Sequence, residues 1–133
     1  MSGKTISEVS TSNAPAAIGP YSQAVIAGDF IFVSGQIPVD PETATVVPGG
    51  IREQTARAVK NIEAILKSMD TGIESIVRTE VYLKSMEDFA SMNEVYASLF
   101  TGGVKPARAT VEVSRLPKDV LVEISCIAYH KQG

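Results

Sequence analysis

Three observations predict an α+β fold for this chain. Short runs of branched and aromatic residues bounded by turn signals fill its first third and its end. Two stretches in the middle carry apolar residues at helical spacing, and a further strand-like run separates them. The resulting order is three strands, helix, strand, helix, two strands. At 133 residues, 44% of them hydrophobic, the chain is the size of one domain, expected to span 1–133. A chain of this length buries roughly two thirds of the surface its unfolded form exposes, so its core needs neither disulfides nor a structural metal.

Strands are predicted at Thr5 to Ser10, Ala24 to Ala27 and Phe30 to Val33, with a Gly28-Asp29 turn between the last two and a stop at Ser34-Gly35. Their continuous apolar residues predict burial on both faces. Pro38, Pro41, Pro48, Gly49 and Gly50 mark a surface loop. From Ile51 to about Met69, the residues Val59, Ile62, Ile65, Leu66 and Met69 line one helical face, with Glu53-Arg57 and Glu63-Lys67 as oppositely charged i,i+4 pairs. Ile76 to Leu83 alternates and is rich in strand formers. Ser85 to Asp88 has the pattern of a capping box with Asp in place of Glu. Phe89, Met92, Tyr96, Leu99 and Phe100 then form the buried stripe of a second helix, which Gly102-Gly103 ends. Ala107 to Val113 and Val120 to Tyr129 supply the last two strands.

The charge pattern narrows the function classes. Net charge is −3, and Lys4 is the single base among the first 51 residues. Nucleic acid is disfavoured as the main partner, because sequence-independent binding requires clustered Lys and Arg. The start lacks both the apolar run of a secretory signal and the arginines of a transit peptide, and no segment has the length of a membrane span. A cytoplasmic protein is the expectation. Cys126 is the sole cysteine and His130 the sole histidine, so neither an internal disulfide nor a zinc site is expected. Cys126, between Ile124 and Ile127, reads as a small core residue.

The most informative stretch runs from Pro106-Ala107-Arg108 through Leu116-Pro117-Lys118-Asp119 to Glu123 and reads as one hairpin. Alternation puts Arg108, Thr110, Glu112 and Ser114 on one face. A turn at Leu116-Pro117 sets Thr110 opposite Glu123 and makes Arg108 and Glu123 diagonal neighbours about 7–8 Å apart at their backbones. A guanidinium offers a planar fork of donors to a carboxylate or phosphate, and a glutamate holds and polarises a water. Together they point to chemistry on a small acid. A cross-strand ion pair with no ligand is the alternative that spacing leaves open.

Gly19-Pro20-Tyr21-Ser22-Gln23-Ala24, Val33-Ser34-Gly35-Gln36-Ile37-Pro38, Pro106-Ala107-Arg108 and Arg115-Leu116-Pro117-Lys118-Asp119 to Glu123 resemble, in order, the motifs of the Rid/YjgF family. The resemblance covers nearly the whole chain. It implies a chorismate mutase-like α+β fold, a mixed sheet of about six strands with two helices on one face, and a homotrimer with ligand sites between subunits. It further implies hydrolysis of reactive enamines and imines, such as 2-aminoacrylate, 2-iminopropanoate and 2-iminobutanoate, to 2-oxo acids and ammonia, without metal or organic cofactor. Carried over, Arg108 clamps the substrate carboxylate and Glu123 holds the attacking water, with the backbone carbonyl of Thr110 as a further acceptor. Tyr21 lines the pocket, Ser34-Gly35 presents backbone donors, and Asn93 stands at the rim.

One position departs from the pattern: many deaminating members place a cysteine two residues after the arginine, where this chain has Thr110. A backbone role tolerates that exchange; a nucleophilic one does not. Two other readings stand beside deamination: a regulatory binder of small carboxylic acids that performs no catalysis, and a ribonuclease or translation inhibitor. The second is hard to assign in an acidic chain without a histidine pair.

Overall fold

The computed structural model describes residues 5–130. The chain runs β1 (Ile6–Val9), β2 (Ala24–Ala27), β3 (Phe30–Gln36), a short ladder of β4 (Val39–Asp40) with β5 (Thr45–Val46), α1 (Ile51–Lys67), β6 (Ile76–Leu83), α2 (Phe89–Leu99), β7 (Ala107–Glu112) and β8 (Val122–Tyr129). Six strands form a mixed sheet in the order β1-β2-β3-β8-β6-β7, as the α+β reading predicts. The β2–β3 hairpin closes at Gly28, whose φ of +61° is one that glycine adopts without steric cost.

Both helices lie on one face of the sheet. Ala58, Val59, Ile62, Ile65 and Leu66 of α1 and Met92 and Tyr96 of α2 pack on Ile31, Val33, Val81, Leu83, Val122, Ile124 and Ala128. Ile31, Ile62, Ile65 and Leu66 are fully buried, each contributing about 1.5–3 kcal/mol relative to exposure. Among the described residues, no helix covers the opposite face. There Phe30, Phe32, Val77, Val111 and Tyr129 are 40–45% exposed, so β3 alternates and is not buried on both sides as its continuous apolar run suggested.

Local corrections follow from competing hydrogen bonds. Glu53 turns back to accept from the Gly50 N–H at 2.9 Å, and Arg57 donates through Nε and Nη2 to Asn61, so the predicted Glu53-Arg57 pair does not form. Ser85 accepts from the Glu87 N–H and caps a single 3₁₀ turn ahead of α2. β3 continues past Ser34 to Gln36 through an irregularity in its pairing with β8.

The largest correction concerns the predicted hairpin. β7 pairs not with β8 but with β6, in parallel, after the α2 crossover, and β8 inserts antiparallel between β3 and β6. The Leu116-Pro117 segment is therefore no hairpin turn. It forms a 3₁₀ turn, Pro117–Asp119, that carries the chain past the end of β6, where Lys84 N–H donates to Leu121 O and Val113 N–H to Leu83 O.

Candidate functional site

Arg108 lies on the edge strand β7, level with Thr79 of β6, on the helix-covered face. Its Nη1 donates to Asn93 Oδ1 at 2.7 Å, and its Cζ stands 4.7 Å from the Tyr96 ring centroid and 5.7 Å from that of Phe89. The steps of four and three residues from Phe89 to Asn93 to Tyr96 put all three on one face of α2. Tyr96 is itself fixed by a 2.8 Å bond between its hydroxyl and that of Thr79 and by stacking on Phe100 at 4.1 Å. Burial pushes the Tyr96 phenol above its ordinary pKa, opposed by the Thr79 bond and the Arg108 charge, so it stays a neutral phenol. The other guanidinium N–H groups of Arg108 have no protein partner among the described residues. A cavity of about 390 Å³, lined by Tyr96, Phe100, Lys105, Pro106 and Arg108 among others, opens beside them. Such a cradle orients a cation to receive a planar anion.

Thr110 follows two residues later on the same face; its Oγ1 is buried without a hydrogen-bond partner.

Glu123 begins a different cluster. It pairs with Tyr82 on β6 and projects between Val122 and Ile124, both buried in the core, so it lies on the uncovered face. Arg108 is level with Cys126 across β6, three residues farther along β8. Two inter-strand spacings and that rise separate the Arg108 and Glu123 Cα atoms by roughly 14 Å. The two side chains point to opposite faces, so one chain cannot bring both onto a small ligand.

The carboxylate of Glu123 occupies the space left by the missing side chain of Gly35. A Cβ there would overlap its carboxylate oxygen and stand 2.8 Å from Cδ. Burial raises the Glu123 pKa, and its carboxylate accepts no hydrogen bond from any described residue. Gly35 also lines a cavity of about 460 Å³ together with Tyr21. The Tyr21 ring is about half exposed, and its hydroxyl accepts a long 3.4 Å bond from Ile18 N–H. Ser34 is engaged within the chain: its hydroxyl donates to Ser22 O and its N–H to Gln23 O, so that amide is not open to a ligand.

The predicted residues thus fall into two groups, Arg108, Asn93 and Thr110 on one side and Glu123, Gly35, Ser34 and Tyr21 on the other. Phe89 and Tyr96 were read as core alone, and their part in holding Arg108 was missed. The readable signal was Asn93, a polar residue in register with an aromatic stripe. Among the described residues no group of three or more His, Cys, Asp or Glu is placed to hold a metal, and no helix is long and apolar enough to cross a membrane.

Comparison with known proteins agrees with the motifs. A family model described as Endoribonuclease L-PSP matches residues 11–130. A RutC family protein of Pyrococcus horikoshii is 57% identical over 119 residues, 90% of this chain and 94% of its own. The 2-iminobutanoate/2-iminopropanoate deaminase of Escherichia coli is 45% identical over 125 residues, 92% of this chain and 97% of its own. The crystal structure of the E. coli YjgF gene product superposes with a TM-score of 0.89 at 44% identity, covering 94% of this chain and 99% of that one. With a relative this similar over nine tenths of its length and a model matching almost all of it, the chain belongs to the Endoribonuclease L-PSP family, the Rid/YjgF family of its sequence motifs.

Proposed function

We propose that this protein hydrolyses small 2-imino acids, with their enamine tautomers, to 2-oxo acids and ammonia, in sites assembled between copies of the chain in a homotrimer. One observation carries the reading: a rigidly held guanidinium with donors to spare and a desolvated, unpartnered carboxylate lie on opposite faces of one sheet, as two halves of a single site would. The uncovered face with Phe30, Phe32, Val77, Val111 and Tyr129 supplies apolar surface for association. The name of the E. coli relative supports the reaction class, while the more similar archaeal relative carries only a family name.

In the reaction, Arg108 of one copy binds the substrate carboxylate through its free donors, with Asn93, Phe89 and Tyr96 as positioning residues. Glu123 of the neighbouring copy accepts a proton from a water as its oxygen attacks the imine carbon. That proton passes from Glu123 to nitrogen to give the amino alcohol, and on collapse the same carboxylate carries the hydroxyl proton to the departing amine, so one water and one C=N bond become one C=O bond and ammonia. A carboxyl with a raised pKa suits both proton transfers. Tyr21 and Gly35 border the place of attack, and Thr110 takes no covalent part. The family model's description names an endoribonuclease, but His130 binds Thr71 beyond the far end of β8 from Glu123, which leaves that chemistry without a histidine at the site.

Mixing two inactive variants tests the composite site. Arg108→Ala and Glu123→Gln are each expected to lack imine hydrolysis, and coassembled from equal amounts they should regain up to about a quarter of wild-type activity, the share of interfaces that random mixing leaves intact. No recovery in mixed oligomers would sink the shared site, and an inactive wild type would sink the deaminase reading itself.

A further inference from the structure

The cavity beside Gly35 is larger than the small imines require. Its volume is about 460 Å³, whereas a methyl or ethyl group is of a size with one or two water molecules at about 30 Å³ each. Its lining is mainly apolar, with Ala16, Ile18, Ile37, Val39 and Pro41 beside the polar Gln36 and Lys118, and it includes Gly35, against which the Glu123 carboxylate lies. Chance does not hold those walls in place. The buried amide of Gln23 ties down the 11–15 segment, donating to the carbonyls of Thr11, Ala14 and Pro15 and accepting from Thr11 N–H at 2.7 Å. The fully buried Asn61 does the same for the 37–39 segment, donating to Ile37 O and Val39 O while Arg57 binds its oxygen. Two buried amides, neither within the main sheet's ladder contacts nor at the reacting centre, thus keep an apolar hollow open next to the attacking group.

We infer that this cavity is the side-chain subsite of the enzyme and selects 2-imino acids with long or branched apolar side chains over those of alanine size. The inference rests on the imine hydrolysis proposed above. With the imine carbon at the water held by Glu123, whose carboxylate lies against Gly35, the substituent enters the cavity that Gly35 lines together with Ile18, Ile37 and Val39. Each methylene that leaves water there favours the larger substrate by about three- to fourfold.

The test compares imines generated in place by an amino-acid oxidase from leucine and from alanine. Wild type is expected to hydrolyse the leucine-derived imine with kcat/KM about tenfold or more above the alanine-derived one. Ala16→Phe, at an exposed position on the cavity wall, should reduce the leucine value about tenfold and leave the alanine value within about twofold. Equal activity on the two imines, or an equal loss on both in Ala16→Phe, would overturn the subsite while leaving the deaminase standing. Should neither imine be hydrolysed, the deaminase reading fails, and calorimetry with 4-methyl-2-oxopentanoate and pyruvate still decides the subsite. Tighter binding of the larger acid that Ala16→Phe abolishes supports it, and equal binding refutes it.

Discussion

The Arg108 cluster and the Glu123 cluster are built in opposite ways. Arg108 is over-determined: a hydrogen bond to Asn93, two aromatic rings and the Thr79-Tyr96 pair behind them fix its planar guanidinium in place. Glu123 is defined by what is missing around it, the side chain of Gly35 and, among the described residues, any hydrogen-bond donor, and its charge is the adjustable one. The first arrangement suits recognition, which requires a fixed geometry. The second suits proton transfer, which requires a group that changes state.

If that division of labour is right, Glu123→Gln gives the largest effect. Its kcat should fall by about 10²- to 10⁴-fold while KM changes little. The same variant should be more stable than wild type at neutral pH. With its pKa raised in the fold, wild-type Glu123 holds its proton more readily folded than unfolded, so its contribution is most favourable at pH below the unfolded value and is lost as pH rises through the folded one. Thermal melts across pH for the two proteins measure the difference, and a less stable variant at pH 7 would contradict the desolvated carboxylate. The acid limb of the wild-type kcat/KM profile should likewise lie above the ordinary carboxylate pKa.

Arg108→Lys comes next, with kcat/KM down about 10- to 100-fold, chiefly through KM, because an ammonium keeps the charge but not the fork. A wild-type KM in the lysine variant would remove the bidentate clamp from the mechanism. Gly35→Ala forces the Glu123 carboxylate aside and should lower kcat about tenfold or more, with little change of stability in denaturant melts, because the displaced group is the end of a flexible side chain. Tyr96→Phe is the mildest. It leaves the ring beneath Arg108 but strips the buried Thr79 hydroxyl of its partner, costing about 1–2 kcal/mol of stability with kcat/KM within a few-fold of wild type.

Much of the fold was legible because local pattern and burial coincide. Ile62, Ile65 and Leu66 fall on one face of α1, and Met92, Tyr96 and Phe100 on one side of α2 and its end, as their spacing predicts. Strand partnership was not legible, since the Leu116-Pro117 turn chemistry fits a hairpin as well as a crossover, and only the tertiary placement of β6 between β7 and β8 decides. The alternation of β7 correctly grouped Arg108 with Thr110, but the assumed pairing put Glu123 beside them rather than behind the sheet. Phe30 and Phe32 misled for a related reason: an apolar run reports that a surface is to be covered, not that the same chain covers it.

Placing Arg108 on the outermost strand, and Glu123 two strands inward behind it, has a consequence for regulation under the proposed function. Dilution acts as an off switch. Copies that drift apart keep their cores intact yet hold only a grip or only a base, so turnover should vanish at a protein concentration where circular dichroism still reports a folded chain.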